Sequence, residues 1–132
     1  MSLGLRFDHI SLFVSDLTKS ANFYGSVLQL PEIENLTRQS HIRWFGLDGG
    51  RSIHLISGNP AGYEDRIGQN HICVATRDLD AAMAHLDRLN VPFGGLRNPS
   101  QRVQLRADGV RQIYFRDPDG YWIEINEAAA VF

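Results

Sequence analysis

H-I-S-L-F-V-S-D-L at residues 9–17 and H-I-C-V-A-T-R-D-L at residues 71–79 are two copies of one pattern, H-I-x5-D-L. The second begins 62 residues after the first, from His9 to His71. Self-similarity at a fixed spacing marks a duplicated structural unit, so the repeat constrains the fold before any single residue does. The residues after each copy also match in kind. Behind Asp16-Leu17, the apolar residues Ala21, Phe23, Tyr24, Val27 and Leu28 recur at helical spacing until Pro31 stops the run. Behind Asp78-Leu79, an apolar stripe of Met83, Leu86 and Leu89 runs to Asn90 and Pro92. Asp16 and Asp78 are suited to be N-caps, because a side-chain carboxylate accepts the orphan amide protons of a helix's first turn.

Three strand-like runs complete each half. They read as 33–38, 41–47 and 51–57, then as 102–107, 110–116 and 121–127. Asp48-Gly49-Gly50, Ala107-Asp108-Gly109 and Asp117-Pro118-Asp119-Gly120 have the composition of turns between them. The closing strands correspond as well, S-I-H-L-I around His54 matching W-I-E-I-N around Glu124 at an offset of 70. The second half is therefore about eight residues longer, and the loop 94–101 is where the excess fits. These readings predict an α+β chain of two βαβββ modules, 5–57 and 70–128, joined by a polar, Gly-rich linker at 58–69. Each module exposes an apolar sheet face, so the two are expected to pack as a single domain over 1–132. Their two four-stranded sheets would then make a curved, partly closed eight-stranded cleft.

The totals agree with one domain. The chain has 132 residues, 43% hydrophobic and 21% charged, enough to bury a core without a metal staple. A bound metal is then expected to serve function rather than folding. A net charge of −2 argues against nonspecific nucleic-acid binding, which needs a basic face to neutralise phosphates. The single cysteine, Cys73, excludes an intrachain disulfide and suits a reducing compartment, so the cytoplasm is the expected location. The opening residues do not read as a signal peptide, since Arg6 and Asp8 interrupt the only apolar stretch. No run reaches the roughly 18 apolar residues that span a bilayer.

Five histidines occur, at 9, 41, 54, 71 and 85. A lone strand histidine is more often a packed or surface residue than a ligand. His85 falls on the second helix, and His41 opens a strand with no counterpart in the other half. The remaining three are different once the repeat is used. His9 and His71 hold equivalent places in the two first strands, and His54 and Glu124 hold equivalent places in the two last. All four are metal donors, and two imidazoles with one carboxylate leave adjacent coordination positions open. His54 supplies a fourth donor and still leaves two. The plain alternative is a shared strand motif whose polar residues fill a wet groove. Cys73, two residues after His71, shares its sheet face, either lining the site or filling space as a small apolar side chain. Arg43 or Trp44, and Arg111 or Tyr114, are candidate substrate contacts; alternation sends one of each pair inward, and the sequence leaves open which.

The chain resembles the vicinal oxygen chelate superfamily of glyoxalases, extradiol dioxygenases and bleomycin-resistance proteins. The resemblance rests on F-D-H-I-S-L-F-V-S-D-L, N-H-I-C-V-A-T-R-D-L and the closing hairpin Y-F-R-D-P-D-G-Y-W-I-E-I. It implies metal ligation by a first-strand His, a second-module His and a closing-strand Glu, which here are His9, His71 and Glu124. It implies one divalent ion (Zn, Ni, Mn, Co or Fe(II)), a small-molecule substrate with vicinal oxygens, a homodimer, and lyase, isomerase or dioxygenase chemistry. No nucleic-acid or membrane partner is implied. Compact glyoxalase I enzymes carry Glu, a ligand active in proton transfer, where this chain has His54. An imidazole there still ligates or acts as a base beside Glu124, with different basicity and charge, which sets the chain apart from glyoxalase I itself. The alternative is a non-catalytic small-molecule binding or drug-sequestration protein of the bleomycin-resistance type, and the four donors favour the enzyme over it.

Overall fold

The computed structural model describes residues 2, 4, 6–59 and 70–128. The chain divides into two compact units, Met1–Tyr63 and Glu64–Phe132, each an α+β unit of one four-stranded mixed sheet and one helix. Most of the expected linker, residues 60–69, lies outside the described residues.

In the first unit, β1 (His9–Val14) leads to α1 (Leu17–Asn22), then to β2 (Glu32–Ile33), β3 (Ile42–Gly46) and β4 (Ser52–Ser57). The sheet order is β1-β4-β3-β2, with β1 parallel to β4 and the other pairs antiparallel. In the second unit, β5 (His71–Ala75) and α2 (Leu79–Arg88) precede β6 (Gln104–Leu105), β7 (Arg111–Arg116) and β8 (Trp122–Asn126). Its order, β5-β8-β7-β6, repeats that of the first. The two βαβββ modules read from the sequence are thus present, and neither sheet is closed on itself. Both expected caps form. Asp16 accepts the amide of Lys19 at 3.0 Å and Asp78 that of Ala81 at 2.9 Å, the same position in each helix.

Strand alternation divides each sheet into two faces. One face is the core. It holds Leu12, Val14, Phe45, Ile53 and Leu55 with Tyr24 in the first unit, all 4% exposed or less. In the second unit Ile113, Phe115, Ile123 and Ile125 share it with Leu79, Met83 and Leu86 of α2. Each such side chain removed from water contributes about 1.5–3 kcal/mol, which makes this face the main source of stability in both units. The other face carries the polar residues and is where the candidate site lies.

Three local readings differ from expectation. The first helix widens after Asn22 into a π-turn, Phe23–Val27, that buries Phe23 and Tyr24 in succession; Leu28 caps it, and Gln29 follows with φ 54°. The strand expected at 33–38 is two residues long, because Asn35 replaces ladder bonds with its own. Its oxygen accepts from the Thr37 amide and hydroxyl at 3.0 and 2.6 Å, and its amide nitrogen donates to the carbonyls of Gln39 and Ile42. The strand expected at 102–107 shrinks to Gln104–Leu105, where the Gln104 side chain instead accepts from the Leu96 amide at 3.0 Å.

Candidate functional site

In the first unit, the polar face presents a stack of three rings. Trp44 and His54 sit directly opposite each other in the β3–β4 pair, with ring centroids 3.9 Å apart and planes 2° apart. His9, on the neighbouring strand, covers the other face of His54 at 4.1 Å and 12°. Stacked rings of this kind contribute about 0.5–1.5 kcal/mol beyond the area they bury. His9 Nδ1 is 2.6 Å from Asp8 Oδ2. That contact orients the ring and leaves Nε2 as the nitrogen suited to ligation, the arrangement in which a carboxylate supports a metal-binding imidazole. His54 is buried, and its Nε2 meets the hydroxyl of Ser52 at 2.9 Å. Burial, reinforced by the neighbouring His9 and opposed by Asp8, pushes the His54 pKa below its ordinary value. A groove of about 700 Å³ is lined by the three rings together with residues that include Ile33, Leu36 and Thr37.

The second unit builds a different surface at equivalent positions. Tyr114 lies opposite Glu124 as Trp44 lies opposite His54. Its hydroxyl donates to Glu124 Oε1 at 2.5 Å. Glu124 Oε2 accepts from the Cys73 thiol and from Asn126 Nδ2, both at 2.9 Å, and His71 Nε2 lies 3.3 Å from Oε1. Gln112 extends the network by donating to the Tyr114 oxygen at 3.2 Å. Burial raises the pKa of the Glu124 carboxyl, but hydrogen bonds from Cys73, Tyr114 and Asn126 and the charge of His71 outweigh it and hold it below the carboxylate range. Glu124 is therefore a fixed anion. Burial, followed by the contact with Glu124, pushes the Cys73 thiol up to about 12 and raises Tyr114 in the same way.

All four donors named from the sequence lie on the polar faces, as two pairs: His9 with His54, and His71 with Glu124. Among the described residues, no three His, Cys, Asp or Glu side chains gather into a ready-made metal cluster. The donor chemistry nonetheless fits a divalent cation: three imidazoles, one of them braced by a carboxylate, and one carboxylate held ionised. Of the candidate substrate contacts, the aromatic member of each pair faces the site. Arg43 points to the opposite face and forks onto Glu32 at 2.7 and 2.8 Å, and Arg111 ties β7 to Glu127 and to Asp80 of α2. His41 precedes β3 and is exposed, and His85 is half-buried on α2. Sequence reasoning passed over Asp8, Ser52, Gln112 and Asn126. Asn126 and Ser52 were open to discovery, since each lies two residues from a named donor on the same strand face.

Comparison with known proteins points the same way. The family model described as Glyoxalase/Bleomycin resistance protein/Dioxygenase superfamily matches residues 6–125. The Uncharacterized protein YwbC of Bacillus subtilis is 27% identical, over 92% of this chain and 97% of its own length. The human mitochondrial methylmalonyl-CoA epimerase is 26% identical, over 93% of this chain and 74% of its own. Among solved structures, a genomically encoded fosfomycin resistance protein of Listeria monocytogenes superposes with a TM-score of 0.70 at 28% identity, covering 96% of this chain and 94% of that one.

Proposed function

Because the chain belongs to the glyoxalase/bleomycin resistance protein/dioxygenase superfamily, we propose that it is a metal-dependent enzyme acting on a small molecule with two neighbouring oxygens. One divalent ion is held by His9, His71 and Glu124, with His54 as a fourth donor. The observation that carries this reading is the pairing of donors on the helix-free face of each sheet, at positions the repeat makes equivalent. The bracing of His9 by Asp8 and the hydrogen-bonded Glu124 support it.

When bound, such an ion supplies positive charge that stabilises negative charge developing on substrate oxygens. The chain's own residues do the rest. Tyr114, Cys73 and Asn126 keep Glu124 anionic and pointed one way, so it serves as a donor and fixed charge rather than a mobile base. His54 is the group suited to move a proton, because burial lowers its pKa and so favours the neutral, proton-accepting form of the ring. Ser52 Oγ donates to His54 Nε2 when that nitrogen is bare and accepts from it when it carries the proton. The same reading has the chain acting as a homodimer in the cytoplasm, and light scattering reads the assembly directly.

The test is metal content and turnover. Protein purified without added metal should carry about one equivalent, or regain activity with Zn, Ni, Mn or Fe(II). Below about 0.2 equivalents with no rescue, the chain would be a binding module instead. Oxygen uptake with catechols identifies dioxygenase chemistry, and turnover of hemithioacetals identifies the lyase branch.

A further inference from the structure

We infer that the segment 95–101 is a wall of the site on the second unit, and that it limits the size of the substrate group lying beside Tyr114. The inference rests on the enzyme reading above and adds a determinant of substrate choice. One row of residues crosses each sheet through the donor of its closing strand. In the first unit the row is Ser11, His54, Trp44 and Ile33. In the second it is Cys73, Glu124, Tyr114 and Gly94. The Gly94 amide donates to the Tyr114 carbonyl at 3.0 Å, and the Tyr114 amide to that of Gly94 at 2.8 Å. Residues directly opposite in an antiparallel pair project to the same face. Ile33 therefore presents a side chain on the face that carries His54, and it lines the groove there. Gly94 presents none on the face that carries Glu124, and main chain occupies the space instead. A Cβ at Gly94 would stand 2.4 Å from the Pro99 carbonyl oxygen and 3.0 Å from that of Gln101. One at Gly95 would stand 2.9 Å from the Asn98 carbonyl oxygen. Neither glycine has a positive φ, so the missing side chains serve space and not conformation. The segment is also tied down. The Gly95 amide donates to the Gln101 carbonyl at 2.7 Å and the Leu96 amide to Gln104 Oε1 at 3.0 Å. At its far end the Arg102 guanidinium lies 4.5 Å over the Phe93 ring and pairs with Asp87 of α2. Residues 98–101 stay exposed and so are open to contact. Neighbouring strands lie about 4.8 Å apart, so Gly94 stands about 10 Å from Glu124 across the sheet, within reach of a ring carried on a chelating pair of oxygens.

The test compares acetohydroxamate with benzohydroxamate, which offer a metal the same two oxygens and differ in bulk. Their affinities for the full zinc-loaded chain are measured by calorimetry, and the ratio of the two cancels any change common to both. The ratio should move at least about fivefold in favour of benzohydroxamate in Gly94→Ala, whose Cβ must push the segment off the sheet. Gly95→Ala should move it the same way by a smaller factor. In the ¹⁵N-labelled native chain, benzohydroxamate should shift the amide signals of Ser100 and Gln101, and acetohydroxamate should leave them in place. Ratios unchanged in both variants, or native Ser100 and Gln101 signals that ignore benzohydroxamate, overturn the inference. Should Gly94→Ala fail to fold, Gly95→Ala and the native signals decide. A chain that takes up no zinc sinks the enzyme reading, and a titration of the metal-free native chain with benzohydroxamate then decides on the wall by the same two signals. Zinc uptake without any response at Ser100 and Gln101 sinks the wall alone.

Discussion

His54 and Glu124 occupy the same place in two copies of one sheet, yet their surroundings are opposite in kind. Around His54 most neighbours on the polar face are flat or aliphatic, with Trp44 opposite, His9 stacked beyond and the Ile42–Ile56 pair next along the strands, while the Ser52 hydroxyl meets Nε2. Around Glu124 the equivalent neighbours are Tyr114, His71 and the Gln112–Asn126 pair, and the carboxylate accepts three hydrogen bonds. A neutral ring tolerates apolar packing, while a buried carboxylate requires donors or it cannot stay ionised. Changing the donor thus requires changing its cage. Duplication supplied two like frames, and the side chains on their polar faces divided the labour: a ring-lined groove in one unit, a fixed anion in the other.

The contrast can be broken most sharply at Cys73. Its thiol donates to Glu124 and titrates at about 12, so it should hold roughly a thousandfold less thiolate near pH 8 than an ordinary cysteine. Labelling with a chromogenic disulfide should be correspondingly slow in the native chain and fast in denaturant. Labelling at the rate of a free cysteine would mean that the cage around Glu124 is not formed. Next come the two aromatic residues at equivalent positions. Tyr114→Phe removes a donor to a buried anion and should cost about 2 kcal/mol in denaturant unfolding of the metal-free chain. Trp44→Phe keeps a ring on the stack and discards an unpaired N–H, so it should cost about 1 kcal/mol or less. Equal costs would erase the distinction between the units.

The smallest effect belongs to a residue that faces away from the site. Glu32 and Arg43 are each more than a third exposed, so their fork contributes less than about 1 kcal/mol. The hydrogen bond from Arg43 lowers the Glu32 pKa below its ordinary value, against a small opposing effect of burial. The contribution is therefore present above the unfolded-state carboxylate range and is lost as pH falls through the lowered folded value. Arg43→Met should show a slight loss at pH 7 that vanishes in acid, measured by urea unfolding at both. A loss that persists in acid would assign Arg43 a packing role instead.

Much of this was legible in the residues. The repeat placed both modules, both caps and all four donors on their strands, because H-I-x5-D-L and the S-I-H-L-I/W-I-E-I-N match tie position to periodicity. The choice between Arg43 and Trp44, or between Arg111 and Tyr114, was not legible. It depends on which residue pairs with which across the hairpin, and a slip of one residue reverses every face. Once Trp44 is seen opposite His54, parity decides the rest. The brevity of β2 and β6 was hidden for another reason: Asn35 and Gln104 form side-chain bonds to the backbone that no alternation pattern reveals. The π-turn after Asn22 was equally invisible, since its apolar residues also satisfy an ordinary helix.

The central claim is that donors from both units hold one ion. It is tested most directly by calorimetric zinc titration of the native chain and of four single variants, His9→Ala, His71→Ala, Glu124→Ala and His54→Ala. One equivalent should bind to the native chain. Changes in either unit at positions 9, 71 and 124 should weaken that same event by about a hundredfold or more, and His54→Ala should weaken it less. Two independent events, or binding that survives His9→Ala while Glu124→Ala abolishes it, would contradict the account.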